Sequence, residues 1–542
     1  MQSFDFIVVG AGSAGCVLAN RLSSDARHTV LLLEAGGEDR SPLIRMPLGY
    51  AYLFANPKYN WMYQSEPEQA LHGRVMFCPR GKVIGGSSSI NAMVYVRGLP
   101  GDYDSWELAG NAGWAWESVL PYFRRSEDHV WGASPFHGGD GEMRVDDFGS
   151  RVHPLSEAFM RSGEAAGFSR TPDFNGASPE GVGTWQMTIR DGRRESAASA
   201  FLRAARKRRN VTVRSRVRVR RILVEGRRAT GVECVTEGGE VIRFLTNREV
   251  IVAAGAINSP QLLECSGIGN ATSLQTLGIQ PVLDLPAVGE GLQDHLCVSY
   301  FYRSRVPSLN DELSPLSGRI RAMVRYLWNR GGPLSMSVNQ AGGFLRSDPA
   351  LEQPDMQVYF NPVSYTTADA TSKKVRGPDP FSGMLMSFNT CRPKSRGSVH
   401  VRSAESSESP RIRMNYLSHD DDIRDIARGA ALLRRIAQQP PLAGVIEQEL
   451  LPGADVVDEQ RLAEDFRTRS SSVYHLCGTC AMGTDPARSV VDSSLRVHGL
   501  SGLRVIDASI FPSIPSGNTN APTIMVAEKG AEMIVREHAK QP

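Results

Sequence analysis

Cysteine, long apolar runs and excess charge are all scarce in this sequence. Eight cysteines are scattered over 542 residues, which is too few for a disulfide framework and favours a reducing compartment. No apolar run approaches the ~18 residues that a membrane-spanning helix needs, and the strand-like residues 4–9 leave no room for a signal peptide. The net charge of +3 gives no reason to expect nucleic-acid binding. We therefore expect a cytoplasmic protein, with peripheral contact to the inner membrane left open.

The N-terminal region has the pattern of a dinucleotide-binding βαβ unit. Residues 4–33 contain an apolar strand, the turn Gly10-x-Gly12-x-x-Gly15, a helical stretch and a second apolar strand. The three glycines suit a tight turn, close approach of the backbone to a pyrophosphate, and packing of the helix on the strand. Glu34 follows the second strand, where a carboxylate binds ribose hydroxyls and disfavours NADP. The motif does not separate NAD from FAD.

Two further stretches are rich in glycine, serine and asparagine. Residues 80–94 suit a polar pocket lined by backbone. Residues 502–523 contain a buried strand that ends at Asp507, then an amide-rich turn and an apolar helix from about Thr523. Acidic and amide side chains at strand ends lie where ligands bind in an open α/β sheet.

A fourth stretch, residues 249–269, reads as a buried strand, a turn and a helix. We expect Asn258 or Ser259 to cap this helix, with Pro260 at its first position. Taken alone, it is an ordinary strand–helix junction.

Residues 471–483 contain one histidine, His475, beside a C-x-x-C pair formed by Cys477 and Cys480. A zinc site needs about four ligands, and no second paired cluster is present. The flanking residues also lack the strand–helix pattern of a thioredoxin-like dithiol. We expect no metal site, and we interpret both thiols as buried side chains.

These stretches, in this order and spacing, resemble the glucose–methanol–choline (GMC) oxidoreductases over nearly the whole chain. Residues 81–94 and 255–269 are similar to the two family signatures, and residues 60–68 and 292–295 also fit. The bacterial choline-dehydrogenase-like and alcohol dehydrogenase branch is the most similar. The resemblance implies an α/β fold, in which a Rossmann-like FAD-binding domain joins a discontinuous α+β substrate domain with an antiparallel sheet covered by helices. The implied limits are 1–155, 195–305 and 461–542 for the FAD-binding domain, and 156–194 and 306–460 for the substrate-binding domain.

The resemblance implies FAD as the cofactor. Some relatives attach FAD through a histidine at the place that Ile90 takes in this sequence, so we expect non-covalent FAD. Two departures from the family pattern are Gly291, where an asparagine is usual, and Leu476, where a proline is usual. The residues that the resemblance places against FAD are Gly10, Gly12, Ser13, Ala14, Gly15, Glu34, Ala35, Trp61, Val83, Gly86, Ser87, Asn91, Ala92, Met93, Val94, Val217, Asp507, Ala508, Asn518 and Thr519.

The same resemblance assigns the chemistry to His475 and Asn520. Histidine titrates near neutral pH and suits a base that takes the hydroxyl proton while the flavin takes the hydride at N5. Asn520 matches a second position that would hold the alcohol oxygen. The implied reaction is oxidation of a primary alcohol to the aldehyde, with electrons passed to a quinone or another carrier. Two alternatives stay open, an oxidase that uses O₂ directly and an FAD-containing hydroxynitrile lyase without net redox.

The middle of the chain carries no cofactor motif. Residues 203–221 contain ten Arg or Lys and alternate apolar with basic side chains, which indicates a strand with one solvated face. An alternative is a surface for anionic lipid or an acidic redox partner. Further along, the patterns predict helices over 316–328 and 420–438, and strands over 356–362, 384–391 and 398–402.

Overall fold

A computed structural model describes residues 2–365 and 377–539 of the chain. Its strands, in chain order, are β1 (Gln2–Val9), β2 (Val30–Leu33), β3 (Tyr63–Glu68), β4 (Arg74–Cys78), β5 (Glu127–His129), β6 (Met143–Val145), β7 (Gly181–Thr184), β8 (Ile189–Arg190), β9 (Arg193–Arg194), β10 (Val211–Arg214), β11 (Val217–Glu225), β12 (Arg228–Thr236), β13 (Val241–Val252), β14 (Ile268–Gly269), β15 (Leu283–Asp284), β16 (Glu290–Leu292), β17 (Leu296–Ser304), β18 (Ala341–Leu345), β19 (Met356–Asn361), β20 (Gly383–Thr390), β21 (Gly397–His400), β22 (Arg411–Arg413), β23 (Ile446–Leu451), β24 (Ser471–Ser472) and β25 (Leu503–Val505). Its α-helices are α1 (Ser13–Leu22), α2 (Pro42–Arg45), α3 (Tyr50–Leu53), α4 (Pro100–Leu108), α5 (Trp116–Ser126), α6 (Pro154–Ala165), α7 (Arg203–Ala205), α8 (Gly255–Cys265), α9 (Ala271–Thr276), α10 (Leu309–Leu313), α11 (Leu316–Asn329), α12 (Asp420–Ala437), α13 (Pro440–Ala443), α14 (Glu459–Arg469) and α15 (Asn520–Ala539).

The first large sheet has the strand order β10-β2-β1-β13-β12-β11, with β25 paired to β13. Its parallel strands, β10, β2, β1, β13 and β25, form the Rossmann-like part. Every residue of β2 is buried, as expected for a parallel strand that is covered on both faces. The predicted order of strand, glycine turn, helix and strand at the N-terminus is confirmed.

The second large sheet is antiparallel, in the order β23-β17-β20-β19-β18-β7. Helices α6 and α12 bury apolar faces against it in one shared core. The strands and helices that the sequence predicts between residues 316 and 438 are confirmed. Strand β17 pairs with β20 from Cys297 to Arg303. Residues 296–304 therefore belong to the second sheet, although the implied limits place them in the FAD-binding domain.

Helix α8 begins earlier than the sequence predicts. It starts at Gly255, and Pro260 lies inside it instead of at its first position. A proline inside a helix removes one backbone donor. The carbonyl of Ala256, which Pro260 cannot satisfy, accepts a hydrogen bond from the Thr479 hydroxyl at 2.7 Å. Ser259 does not cap this helix, because its hydroxyl donates to Asp507 at 2.6 Å.

The carboxyl ends of the parallel strands meet at one edge of the first sheet. Gly10 follows β1, Glu34 follows β2, Ala253 follows β13 and Asp507 lies two residues after β25. In an open α/β sheet this edge is where ligands bind. Among the described residues, no helix is both long enough and apolar enough to span a bilayer.

Candidate active site

A cavity of about 920 Å³ lies between the first sheet's carboxyl edge and the second sheet. Its size is at the upper end of the range for small-molecule and cofactor sites, about 300–1,000 Å³. The first sheet contributes the glycine turns and strand ends to its wall. The second sheet contributes side chains of β17, β19 and β20, among them Tyr359, Asn361 and Ser387.

Among the residues predicted for the site, Gly15 and Val83 lie outside the wall of this cavity. Gly15 packs α1 on the strand turn, because a β-carbon there would lie 1.8 Å from the carbonyl oxygen of Gly10. Val83 is fully buried beside Ile90. The predicted residues that line the cavity are Gly10, Gly12, Ser13, Ala14, Glu34, Ala35, Trp61, Gly86, Ser87, Asn91, Ala92, Met93, Val94, Val217, His475, Asp507, Ala508, Asn518, Thr519 and Asn520.

The two glycine turns at one end of the cavity touch each other. A β-carbon on Gly86 would lie 2.6 Å from the Cα of Gly12. Helix α1 begins directly after Gly12 with no side-chain cap, so its first N–H groups and the positive end of its dipole face the cavity. This is the arrangement that binds a pyrophosphate, and the residues present therefore fit a dinucleotide.

Glu34 lies at the same end and is almost fully buried. Its carboxylate accepts hydrogen bonds from the backbone N–H groups of Ala11 at 2.9 Å and Gly36 at 2.8 Å. Each oxygen keeps a further lone pair, which can accept from a ribose hydroxyl. Burial raises the pKa of Glu34 to about 7, against the lowering effect of its two backbone donors.

Asp507 connects two segments of the cavity wall through hydrogen bonds. Its carboxylate accepts from the backbone N–H of Gly255 at 2.8 Å and of Ser509 at 2.8 Å, besides the Ser259 hydroxyl. These bonds tie β25 to the start of α8. Ala508, the next residue, then lines the cavity.

His475 forms a pair with a second histidine that the sequence reading did not include in the site. Its Nδ1 lies 2.9 Å from Nδ1 of His295, and Nε2 of His295 lies 2.9 Å from the carbonyl oxygen of Cys391. A carbonyl can only accept, so Nε2 of His295 carries the proton and its Nδ1 is the acceptor. The Nδ1 of His475 must then donate to it. This leaves Nε2 of His475 unprotonated on the side that lines the cavity.

Both histidines are held in the neutral form. Burial, followed by the neighbouring His295 and Arg80, lowers the pKa of His475 well below its usual value. Burial also lowers the pKa of His295 to about 4. Neutral rings are the condition that the hydrogen-bond chain requires, and a neutral His475 can accept a proton.

Asn518, and not Asn520, lies opposite His475. The Nδ2 of Asn518 is 3.0 Å from Nε2 of His475, and its Oδ1 accepts from Gln357 at 3.4 Å. Asn520 is the first residue of α15, and its Oδ1 instead accepts from the Ser13 hydroxyl at 2.7 Å. The prediction that placed Asn520 opposite the histidine is therefore corrected. The two asparagines are two residues apart, and the turn before α15 directs them to different ends of the cavity.

Asp294 fixes the backbone that carries His475. Its Oδ1 accepts from the backbone N–H of His475 at 2.7 Å, and its Oδ2 accepts from Ser472 and Tyr416. Arg80, partly buried beside it, donates to the carbonyl of Tyr474 at 2.9 Å. Asp294 and His295 belong to the segment 292–295. The resemblance to the family includes this segment, but we predicted no role for it in the site.

The cysteines beside His475 are core residues. Cys477 and Cys480 are fully buried in the core of the first sheet, and burial raises the pKa of both thiols. A thiol that stays protonated is a poor nucleophile and a poor metal ligand.

Among the described residues, Glu127, His129 and His137 have the composition of a metal site, with ligand atoms within 4.8 Å of one another. However, the Arg97 guanidinium donates to Glu127 at 2.8 Å, and His137 also contacts that carboxylate oxygen. The Arg97 guanidinium therefore already neutralises the Glu127 carboxylate. The cluster is better described as a buried ion-pair network.

Comparisons with known proteins find relatives over nearly the whole chain. Two family models, both described as GMC oxidoreductase, match residues 4–297 and 393–527. An alcohol dehydrogenase [acceptor] of Pseudomonas putida is 43% identical over 540 residues, which cover 98% of this chain and 96% of the relative. An oxygen-dependent choline dehydrogenase of Photobacterium profundum is 41% identical, over 98% of this chain and 93% of the relative. The crystal structure of pyridoxine 4-oxidase from Mesorbium loti superposes with a TM-score of 0.89 at 33% identity, over 99% of this chain and 100% of that one.

Proposed function

The chain belongs to the GMC oxidoreductase family and is an FAD-dependent enzyme that acts on CH–OH donors, and we propose that it oxidises neutral primary alcohols with His475 as the base. The observation that carries the proposal is the unprotonated Nε2 of His475, fixed by His295 and directed toward Asn518 at the cavity.

We propose that the glycine-turn end of the cavity binds the ADP half of FAD. The uncapped start of α1 would bind the pyrophosphate and Glu34 the ribose, while Val217 would lie against the adenine. The flavin would then lie toward Asn91–Val94 and the His475 end. Ile90 occupies the position where some relatives carry a linking histidine, and its hydrocarbon side chain offers no atom for a covalent link.

The bound FAD supplies the hydride acceptor at N5. The chain's own residues handle the oxygen and its proton. A hydroxyl placed between Asn518 and His475 accepts a hydrogen bond from the amide Nδ2 and donates its proton to Nε2 of the imidazole. As that proton moves, the Nδ1–H bond to His295 keeps the ring in place and stabilises the imidazolium that forms. The amide holds the negative charge that develops on the oxygen.

The electrostatics of the cavity favour a neutral alcohol over choline. Among the described residues of its wall, only Glu34 and Asp507 carry a carboxylate, and both are bonded to backbone N–H groups of the first-sheet side. A quaternary ammonium needs aromatic faces or a carboxylate. Trp61, one of seven aromatic residues among the described residues of the wall, already has Lys82 Nζ 4.8 Å above its ring. A second cation there would be repelled.

We further propose that electrons leave to a quinone or another carrier instead of to O₂, and that the enzyme acts in the cytoplasm at the periphery of the inner membrane. The cytoplasmic placement is supported by the eight cysteines, all of which are free thiols.

The experiment is an anaerobic absorbance titration of the purified holoenzyme with aliphatic and aryl primary alcohols, and with choline for comparison. We expect a neutral alcohol to bleach the oxidised flavin spectrum and choline to leave it unchanged. Slow re-oxidation after air is admitted, with fast re-oxidation by a soluble quinone, would support the dehydrogenase. Fast re-oxidation by air would instead identify an oxidase, and cleavage of a cyanohydrin without bleaching would identify a lyase.

A further inference from the structure

Exposed apolar side chains concentrate on one helix of this protein. Fifteen large hydrophobic residues are exposed among the described residues, and six of them lie on the 14-residue helix α11. Trp328 is 89% exposed and Leu316 is 72% exposed. Contiguous exposed apolar patches mark interaction sites more often than chance exposure does. The apolar face of α11 consists of Leu316, Ile320, Met323, Val324, Leu327 and Trp328.

The spacing of these residues places them on one side of the helix. At 3.6 residues per turn, they occupy an arc of roughly 140°. The opposite side of α11, which carries Gly318, Ala322 and Tyr326, is buried. Ala322 and Tyr326 pack there against Leu313 and Leu334. The helix is thus anchored firmly through one face, and its second apolar face is presented to solvent.

Arginines border the apolar face on both sides. By the same helical geometry, Arg319 lies beyond one edge of the arc, and Arg321 and Arg325 lie beyond the other. The helix contains no aspartate or glutamate. Arg319 donates to the carbonyl of Leu313 at 2.8 Å, and none of the three forms an ion pair with a described residue. An apolar stripe bordered by arginines is the pattern of a helix that lies in a membrane interface.

The basic stretch 203–221 differs from α11 in this respect. Several of its arginines are already neutralised by carboxylates within the protein, and it has no comparable apolar face. The pairs are Arg206 with Glu38, Arg216 with Glu237, and both Arg220 and Arg221 with Glu233.

Helix α11 also borders the opening of the active-site cavity. Arg319 and Met323 line the cavity and are exposed to solvent at the same time. Tyr52, 62% exposed, does the same from α3. The cavity therefore reaches the surface beside the apolar face of α11.

We propose that α11 docks the protein on an anionic lipid bilayer, with the cavity opening turned toward the membrane. Its apolar face would enter the boundary between headgroups and acyl chains, and its arginines would contact the lipid phosphates. A second copy of this chain is a poorer occupant, because face-to-face packing would bring two sets of arginines together without an acidic partner. Docking would let an apolar alcohol enter from the lipid, a consequence that rests on the proposed function.

The test is co-flotation of the holoenzyme with vesicles of phosphatidylglycerol, compared with vesicles of phosphatidylcholine. We expect the wild type to float with phosphatidylglycerol and to be released by salt. The double variant Leu327→Ser/Trp328→Ser should bind at least about tenfold more weakly. The double variant Arg321→Gln/Arg325→Gln should lose about thirtyfold in affinity for phosphatidylglycerol, with little change on phosphatidylcholine.

Leu108→Ser is the matched control, because Leu108 is 87% exposed at the end of α4 and should not change vesicle binding. Retained FAD absorbance shows that each variant is folded. The proposal is overturned if the wild type does not float, or if Leu108→Ser weakens binding as much as Leu327→Ser/Trp328→Ser. It is also overturned if the wild type is a dimer that Leu327→Ser/Trp328→Ser converts to a monomer.

The outcome is independent of the enzymatic proposal. Flavin reduction by a water-soluble primary alcohol, measured without vesicles, should be equal in the wild type and in both double variants. A wild type that floats but is not reduced by any alcohol would defeat the proposed function alone. A wild type that is reduced but does not float would defeat the docking surface alone.

Discussion

The Nδ1 atoms of His295 and His475 lie 2.9 Å apart, in a buried pair that ends at the carbonyl of Cys391. The carbonyl can only accept and both rings are neutral, so the position of each proton in this hydrogen-bond chain is determined. His295 therefore acts as a positioning residue, which selects the tautomer of His475 without touching the substrate. Groups that orient metal-bound histidines contribute a factor of about 10–100 to activity, and we expect a similar factor for His295.

His295→Ala should slow flavin reduction by roughly 10–100-fold while leaving the bound FAD spectrum unchanged. Without its acceptor, the His475 ring can adopt the tautomer that carries the proton on Nε2, which is inactive as a base. His295→Gln offers a carbonyl oxygen in the same region and should recover part of the rate. Anaerobic stopped-flow absorbance measures both variants. Equal loss in the two would indicate a packing role for His295 and no effect on the tautomer.

Asn518→Ala and Asn520→Ala should have different effects. Asn518 donates toward His475, so its loss should lower the flavin reduction rate by about 10²–10³-fold, as for the removal of an oxyanion donor. Asn520 bonds Ser13 at the glycine-turn end, so its loss should weaken FAD retention and leave the rate of the reconstituted enzyme near normal. Reduction kinetics and FAD titration of each apoprotein separate the two effects. A large rate loss in Asn520→Ala alone would restore the assignment made from the sequence.

Features that depend on residues close in sequence could be predicted. Features that depend on contacts between residues far apart in sequence could not. The βαβ unit and the first-sheet wall of the cavity could be predicted, because glycine turns and buried strands leave local patterns. The second-sheet wall, with Tyr359, Asn361 and Ser387, could not be predicted, because no local motif marks it. The pairing of His295 with His475 could not, since the two are 180 residues apart and the bond depends on tertiary packing. Which asparagine lies opposite His475, Asn518 or Asn520, depends on where α15 begins. Helix ends are poorly defined by sequence.

The start of α8 shows the same limit. Proline is most common at the first turn of a helix, so Pro260 predicts a later start. The helix instead contains Pro260 internally, because Thr479, from a distant segment, satisfies the carbonyl of Ala256. Tertiary hydrogen bonding overrides the local preference.

Glu34→Gln should weaken FAD binding by about 10–100-fold. The two carboxylate oxygens each accept a backbone N–H, from Ala11 and Gly36. An amide has only one accepting oxygen, so one of these buried donors would lose its partner. Equilibrium titration of the apoprotein with FAD gives the affinity. Glu38→Gln is the control, since Glu38 pairs with Arg206 at the surface; similar losses in both variants would contradict the role of Glu34.

The pH dependence of flavin reduction should have its acid limb well below pH 6.5. His475 must be unprotonated to act as a base, and burial with its neighbours His295 and Arg80 lowers its pKa. The rate should therefore be constant through neutral pH and fall only as the pH drops through that lowered pKa. Stopped-flow reduction at saturating alcohol gives the profile, with FAD absorbance as a check of integrity. A rate that rises as the pH falls would exclude a neutral histidine base.

The central claim is tested most directly by anaerobic flavin reduction in His475→Ala with a primary alcohol that bleaches the wild-type flavin. We expect the variant to retain its yellow FAD, because the glycine turns and Glu34, which would hold the ADP half, are unchanged. Its reduction rate should fall by at least about 10²–10⁴-fold, the contribution of a general base. Reduction of His475→Ala within a few-fold of the wild-type rate would show that another group removes the hydroxyl proton, and the proposed mechanism would be wrong.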